Sequence, residues 1–194
     1  MTTYMHKAIL FIPVILLFSG CASLKPTSHS YFDCARTNSF DPLDDKHGLI
    51  LEILKKAVIT DKDIPDYRFI DDKKRIYVVD TTPDNFFRFI EGGVEVSKER
   101  LDFDDIPPKI QSVHFCLKTP DELAEIAAQT DDFIYLAIGN VKVDGRVGRI
   151  GISSNWQTPK GSSRTYLSGG GYIAEFVKEA DAWKFSSILQ SWQQ

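Results

Sequence analysis

The last third of the chain holds three or four long β-rich segments separated by turn residues, and this pattern constrains the fold most. The segments read FIYLAIGNVKV, VGRIGISSNW, TYLSGGGYIAEFVKE and AWKFSSILQSW, with turns at Asp144-Gly145 and at about Ala180-Asp181. Short turns join antiparallel neighbours, whereas parallel strands need long crossover connections. The sequence therefore predicts an antiparallel meander rather than a parallel sheet built from strand–helix–strand units.

Two helices are predicted upstream of this meander. The first opens at Asp41-Pro42, because Asp caps free amides and Pro suits the first helical position, although Gly48 shifts its start towards Lys46. The second starts at the capping box of Thr119 to Glu122 and runs to about Gln129. Apolar residues at helical spacing should face the core: Leu49, Ile50, Ile53, Leu54, Ala57 and Val58 in the first helix, and Leu123, Ile126 and Ala127 in the second.

The middle of the chain adds shorter elements. Residues 66–80 are predicted as a β-hairpin around a polar DDKK turn, and residues 109–117 as a strand. Between them, a strand pair is expected around Gly92-Gly93, followed by a loop, LDFDDIPP. The fold class is therefore α+β. We expect an N-terminal helix and a second short helix packed on a curved antiparallel sheet that ends in the meander.

Aromatic residues on the last two predicted strands suggest both a family and a pocket. Tyr172, Phe176 and the Trp183-Lys184-Phe185 segment flank a short turn. This hairpin resembles the cone-shaped fold of the nuclear-transport-factor-2-like superfamily over about the final 60 residues. Because a strongly bent sheet with aromatic inner positions can enclose a ligand, Tyr172, Phe176, Trp183 and Phe185 are the candidate pocket. The superfamily includes enzymes and binding modules, so the resemblance leaves the function open.

The first twenty residues have the organisation of a secretory signal peptide. Lys7 precedes an apolar run, Ala8 to Phe18, which ends in small residues. Spanning a bilayer takes about 20 apolar residues, so this run is short for a membrane helix. An ordinary secretory signal would explain the pattern, as would a lipoprotein signal.

The end of this segment resembles the lipobox of bacterial lipoproteins. Ser19, Gly20 and Cys21 match its last three positions, while Phe18 stands where Leu is usual. The resemblance implies cleavage before Cys21, acylation of this cysteine and attachment to a lipid bilayer. Ala22 follows the cysteine, where the inner-membrane retention signal of that family has Asp, so the outer membrane is expected. The resulting organisation is a signal peptide at 1–20, a tether at 21–40 and a single domain at 41–194.

Charge and cysteine content limit the partners and the chemistry. With 23 basic and 27 acidic residues, the net charge of −4 does not favour nucleic acid as a partner. If Cys21 is acylated, Cys34 and Cys116 are left as a pair in an oxidising compartment. The sequence leaves open whether they form a disulfide or stay as two thiols.

One short motif suggests nucleophilic catalysis. His114 and Cys116 are two residues apart on a predicted strand, so their side chains should point to one face, and a nearby imidazole promotes formation of a thiolate. A third residue to orient the histidine is not identifiable. A buried thiol or a disulfide beside a hydrogen-bonded histidine explains the same residues, and we favour that interpretation.

Other candidate motifs lack the context that their chemistry needs. The Ser168 to Gly171 run precedes a predicted strand, whereas a phosphate-binding loop opens a helix. The acids Asp102, Asp104 and Asp105 lack the glycine and distal Glu of a calcium loop. The three histidines after the predicted signal peptide, His29, His47 and His114, are not at zinc-ligand spacing. No cofactor and no metal are therefore expected.

Three functions are consistent with these patterns. The favoured hypothesis is a non-catalytic outer-membrane lipoprotein that binds a protein partner or a small ligand, for example as an immunity or inhibitor protein. The alternative is an envelope hydrolase or acyl-transfer enzyme that uses Cys116 and His114. A purely structural or assembly role is the third.

Overall fold

The computed structural model describes Cys34 and residues 38–80, 99–166 and 169–193. Within these ranges the chain forms two α-helices, α1 (Asp45–Leu54) and α2 (Pro120–Thr130), and a π-helical continuation of α1 (Lys55–Thr60). The predicted signal peptide, Cys21, most of the predicted tether and the strand pair expected around Gly92-Gly93 lie outside the described residues. Seven strands accompany the helices: β1 (Arg75–Asp80), β2 (Lys109–Ile110), β3 (Val113–Leu117), β4 (Phe133–Asp144), β5 (Val147–Gln157), β6 (Gly170–Glu179) and β7 (Ala182–Gln193).

The strands form one curled mixed sheet in the order β2-β3-β1-β4-β5-β6-β7, so the predicted α+β class is confirmed. The four C-terminal strands pair consecutively and antiparallel, as the meander requires. The expectation of an antiparallel sheet throughout is wrong, because β1 lies between β3 and β4 and is parallel to both. The 32 residues between β1 and β3, and the 52 residues between β1 and β4, leave room for the crossovers that parallel pairing needs.

The predicted hairpin over residues 66–80 is also wrong. Only its second half is a strand, β1, while residues Tyr67–Phe69 form a 3₁₀ turn after Asp66, which has a positive φ of 60°. In β1, Ile76 and Val78 are buried on one face while Val79 is buried on the other. Burial of both faces is typical of a central parallel strand, whose two neighbours come from distant parts of the chain.

The first helix begins three residues later than its Asp41-Pro42 signal predicts. Asp44 is the N-cap, and its carboxylate accepts hydrogen bonds from the amides of Lys46 and His47 at 2.9 and 3.0 Å. Asp41 instead accepts from the amide of Leu43, which makes the Asp-Pro pair part of a turn before the helix. Both positions carry an aspartate that can cap, so the local sequence does not distinguish them.

The second helix follows its capping box as predicted. Thr119 Oγ1 accepts from the amide of Glu122, and the Glu122 carboxylate accepts from the amide of Thr119. The predicted strand over 109–117 is divided, because Gln111 has a positive φ of 53° and turns the chain between β2 and β3. The loop predicted around LDFDDIPP contains a 3₁₀ turn, Phe103–Asp105, capped by Asp102.

The apolar core has two parts on opposite faces of the sheet. The larger part joins Leu49, Ile50 and Ile53 of α1 to inward residues of β1, β4, β5 and β6. The smaller part joins Leu123 and Ile126 of α2 to Val79. Within the described ranges, neither helix is long and apolar enough to cross a bilayer.

Candidate functional site

A polar cluster between two cavities lies at one end of the sheet. Because β1 and β4 are parallel, their first residues, Arg75 and Phe133, lie at the same end. β5 is antiparallel to β4, so its last residue, Gln157, pairs with Phe133 there. The C-terminal turn of α2 leads into β4 at the same place, and the loop over 158–166 follows β5. Five elements of the chain therefore meet at this end.

Asp132 is the centre of the cluster. Its side chain is only 5% exposed, and Oδ2 accepts hydrogen bonds from Arg164 Nη1 at 2.6 Å and from the Tyr166 hydroxyl. Arg164 Nη1 also donates to Asp131 Oδ1 at 2.9 Å, so one guanidinium bridges two successive carboxylates. The hydrogen bond from Tyr166 and the neighbouring Arg164 hold the pKa of the Asp132 carboxyl below its usual value. This carboxylate is therefore charged at neutral pH.

An aromatic stack supports the loop that carries Arg164. The rings of Trp156 and Tyr166 are stacked with centroids 4.0 Å apart and an interplanar angle of 6°. The ring of Phe69 packs at an angle against Trp156, with ring centroids 6.3 Å apart. Because stacking positions Tyr166, it also positions the hydroxyl that donates to Asp132.

Two cavities flank this network. The first, which we name the Asp132 cleft, has a volume of about 190 Å³ and lies between the start of β1, the end of α2 and the start of β4. The second, of about 300 Å³, lies under the loop over 158–166. The Asp132 cleft is lined by Ile70, Asp71, Asp72, Arg75, Tyr77, Ile126, Thr130, Asp132, Phe133 and Ile134. The loop cavity is lined by Tyr135, Asn155, Trp156, Thr158, Arg164, Thr165 and Tyr166.

The site offers charged groups for ion pairing and hydrogen bonding. The Arg164 guanidinium is engaged by two carboxylates, and Oδ1 of Asp132 is buried without a hydrogen-bond partner. Buried polar atoms are nearly always hydrogen-bonded, so an unpartnered carboxylate oxygen calls for an explanation. Across the described residues, no group of three His, Cys, Asp or Glu side chains is arranged to hold a metal ion.

The residues of the predicted aromatic pocket lie mostly in the core. Tyr172, Phe176 and Trp183 are 3%, 2% and 5% exposed, whereas Phe185 is 44% exposed. The Tyr172 hydroxyl donates to Asp63 Oδ1 at 2.6 Å, and the Trp183 indole donates to the Asp45 carbonyl at 2.9 Å. These aromatic side chains line neither the Asp132 cleft nor the loop cavity. The hydrogen bonds of Tyr172 and Trp183 attach α1 and the segment after its continuation to the sheet.

The structure joins Cys34 and Cys116 by a disulfide, with their Cα atoms 5.1 Å apart. Cys116 is 3% exposed in β3, while His114, two residues earlier, is exposed. A sulfur in a disulfide is not a thiolate, so in this state Cys116 does not have the nucleophile that the catalytic hypothesis needs.

The remaining candidate residues have structural partners. Asp105 is 4% exposed and lies 2.9 Å from Lys46 Nζ and 3.3 Å from His47 Nε2, which ties the 3₁₀ turn to α1. Asp102 caps that turn and Asp104 accepts from the amide of Ser39. Gly170 and Gly171 begin β6, as the strand interpretation of the glycine run requires, while Ser168 and His29 lie outside the described residues.

The sequence patterns do not single out Asp132, Arg164 or Tyr166. The pairs that they form are 32 to 34 positions apart, and Arg164 lies in a loop that appears only polar in the sequence. The one local signal is the Asp131-Asp132 pair directly after a predicted helix, which places two carboxylates at the negative end of the helix dipole.

Comparison of the chain with family models, with curated proteins and with solved structures finds no match.

Proposed function

We propose that this chain is a non-catalytic envelope lipoprotein whose folded domain binds a protein partner along the edge strand β7. The observation that carries the proposal is the exposure of apolar side chains on this strand. Phe185, Ile188 and Leu189 are 44%, 47% and 40% exposed. β7 is last in the sheet order, so no other described strand pairs with its outer side. Such an edge offers main-chain donors and acceptors to an incoming strand.

The composition of β7 favours strand pairing. Edge strands that avoid association are usually short or carry proline and several charges. β7 has twelve residues, no proline, and Lys184 as its only charged residue. The pairing of β7 with β6 has two register shifts, beside Phe185 and Ile188. Such β-bulges change the direction in which neighbouring side chains point. We infer that a partner would contact these apolar side chains while its backbone pairs with the strand.

The disulfide that joins Cys34 to β3 lies far from the proposed binding edge in the strand order. Cys116 lies in β3, five strands from β7, which corresponds to about 24 Å along a sheet. The 13 peptide steps from Cys21 to Cys34 reach at most about 45 Å. A tether of this length from an acylated Cys21 would leave β7 accessible in the periplasm or at the cell surface. The lipobox resemblance supports this location.

The kind of partner defines the biological role. If the partner is a secreted toxin, the protein acts as an immunity or inhibitor protein. The alternative, an envelope hydrolase or acyl-transfer enzyme using Cys116 and His114, requires a free Cys116 thiolate. Rapid alkylation of Cys116 in the unreduced protein would favour that enzyme over the binding function.

Photo-cross-linking in intact cells tests the binding edge. The photoreactive amino acid p-benzoylphenylalanine replaces Ile188 in one variant and Glu125, an exposed residue of α2, in the matched control. We expect a discrete adduct with a second protein from position 188 and none from position 125. The additional change Phe185→Lys should reduce the adduct, because it places a charge in the apolar contact.

Three outcomes would contradict the proposal. Absence of an adduct at position 188, or equal adducts at positions 188 and 125, would remove β7 as the binding edge. An adduct of twice the mass of the chain would place a second copy on β7 instead of a different protein.

A further inference from the structure

We propose that the Asp132 cleft binds a primary alkylammonium group. The cleft is a separate site from β7, because it lies where β1 and β4 begin. Its lining combines three carboxylates with an apolar wall. This combination fits a ligand that has a positive charge at the end of a hydrocarbon stem.

The charge around the cleft is negative. Asp71, Asp72 and Asp132 line it, and Arg75 is the only basic side chain in the lining. Arg75 lies 4.0 Å from Asp72 and is therefore partly neutralised within the cleft. Thr130, the last residue of α2, also lines the cleft, and the C-terminal end of a helix carries partial negative charge. Arg164 is shared between Asp131 and Asp132, so four carboxylates, including Asp71 and Asp72, surround two guanidinium groups. The balance of charge therefore still favours a cation.

The buried carboxylate supplies the second, independent observation. Asp132 is 95% buried at its side chain, its Oδ2 is held by Arg164 and Tyr166, and its Oδ1 has no partner. A buried acceptor without a donor costs free energy unless a ligand or water satisfies it. An ammonium group carries three donors and a positive charge, so it matches this oxygen in both respects.

The apolar wall and the aromatic rings explain why the cation should be organic. Ile70, Ile126 and Ile134 line the cleft and would contact a hydrocarbon stem. Tyr77 and Phe133 contribute two rings in an edge-to-face pair with centroids 5.3 Å apart. Aromatic faces attract ammonium groups, whereas a small hydrated metal ion would gain little from isoleucine side chains. A lysine side chain and a free alkylamine both have the required chemistry.

Titration of the ¹⁵N-labelled protein with four probes tests this proposal. Nα-acetyl-lysine amide and n-pentylamine carry the ammonium group, while Nα-acetyl-norleucine amide and 1-pentanol are neutral controls. We expect both amines, and neither control, to shift the amide signals of Arg75, Thr130 and Asp132. Stronger binding of the lysine derivative would identify a peptide lysine as the natural ligand, and stronger binding of pentylamine would identify a free amine.

Matched variants assign the effect to the cleft. Asp132→Asn keeps the shape of the side chain and should weaken amine binding by about tenfold or more, since it removes a charged hydrogen-bond acceptor. Asp72→Asn, at a more exposed position, should weaken binding by a few-fold and provides a test if the Asp132 variant does not fold. Asp181→Asn makes the same charge change at the β6–β7 turn and should leave binding unchanged.

The proposal fails if the neutral probes shift the same signals as the amines, or if the shifts map outside the cleft. It also fails if folded Asp132→Asn and Asp72→Asn proteins bind the amines as the wild type does. None of these results depends on β7, so the alkylammonium site and the proposed partner-binding function can fail independently.

Discussion

The buried Tyr172 hydroxyl links the segment after α1 to the sheet through one hydrogen bond to Asp63. Burial raises the pKa of this hydroxyl far above its usual range, and the Asp63 carboxylate raises it further. In the unfolded chain a tyrosine loses its proton at about pH 10. The contribution of Tyr172 to stability is therefore fully present below about pH 10 and is lost as the pH rises towards its higher folded-state pKa.

Tyr172→Phe should change both the stability and its dependence on alkaline pH. At pH 7 we expect the free energy of unfolding to fall by about 1–3 kcal/mol, because a hydrogen bond to a charged group is lost. Between pH 10 and pH 11 the wild type should lose about 1 kcal/mol more than the variant. Urea denaturation at the three pH values measures both effects. Tyr67→Phe, at a partly exposed tyrosine, is the control, and an equal alkaline loss in wild type and Tyr172→Phe would contradict the expectation.

At the scale of elements, the sequence predicts helix caps, turns and hairpins well, because each depends on a few neighbouring residues. The Thr119 capping box, the Gly145 turn and the β4–β7 meander were predictable for this reason. The pairing of β1 was not, because its neighbours β3 and β4 are reached only through intervening chain. Its uninterrupted apolar run, Ile76 to Val79, was nevertheless a usable signal of a strand buried on both faces.

The N-cap of α2, Thr119, is a local signal whose contribution to stability can be measured directly. Thr119→Ala removes the side chain that accepts from the Glu122 amide, so we expect a loss of about 1 kcal/mol in the free energy of unfolding. Thr119→Ser keeps the hydroxyl and should stay close to the wild type. Chemical denaturation of the three proteins compares them. An equal loss in both variants would show that the Thr119 methyl group, and not the cap, is responsible.

At the scale of the whole molecule, the candidate site exists only because distant segments meet. Asp131 and Asp132 follow α2, Arg164 and Tyr166 follow β5, and the antiparallel return of β5 brings the two pairs together. The cysteines behave similarly: Cys34 and Cys116 are separated by 82 positions, and the sequence identifies them as a possible pair without determining their distance. Composition alone predicts which residues are available for such contacts, but the topology determines which of them meet.

The cysteines also allow two roles, anchoring and folding, to be separated in one experiment. Cys34→Ala opens a loop that the disulfide closes, and loss of such a cross-link should cost about 2–4 kcal/mol. For a chain of 194 residues this corresponds to a fall of roughly 5–15 °C in Tm. Cys21→Ser should leave the Tm of the purified domain unchanged but should release the protein from the membrane fraction, because acylation at Cys21 is the proposed attachment.

Thermal denaturation, membrane fractionation and incorporation of an alkyne-labelled fatty acid provide the three readouts. Cys34→Ala should incorporate the label and remain in the membrane fraction, and its lower Tm should match that of the reduced wild type. A Cys21→Ser protein that stays labelled and membrane-bound would overturn the lipoprotein proposal without affecting the disulfide. Equal Tm values for Cys34→Ala and the wild type would mean that the cross-link contributes little to folding, because the core around α1 and the meander is then sufficient to hold β3 in the sheet.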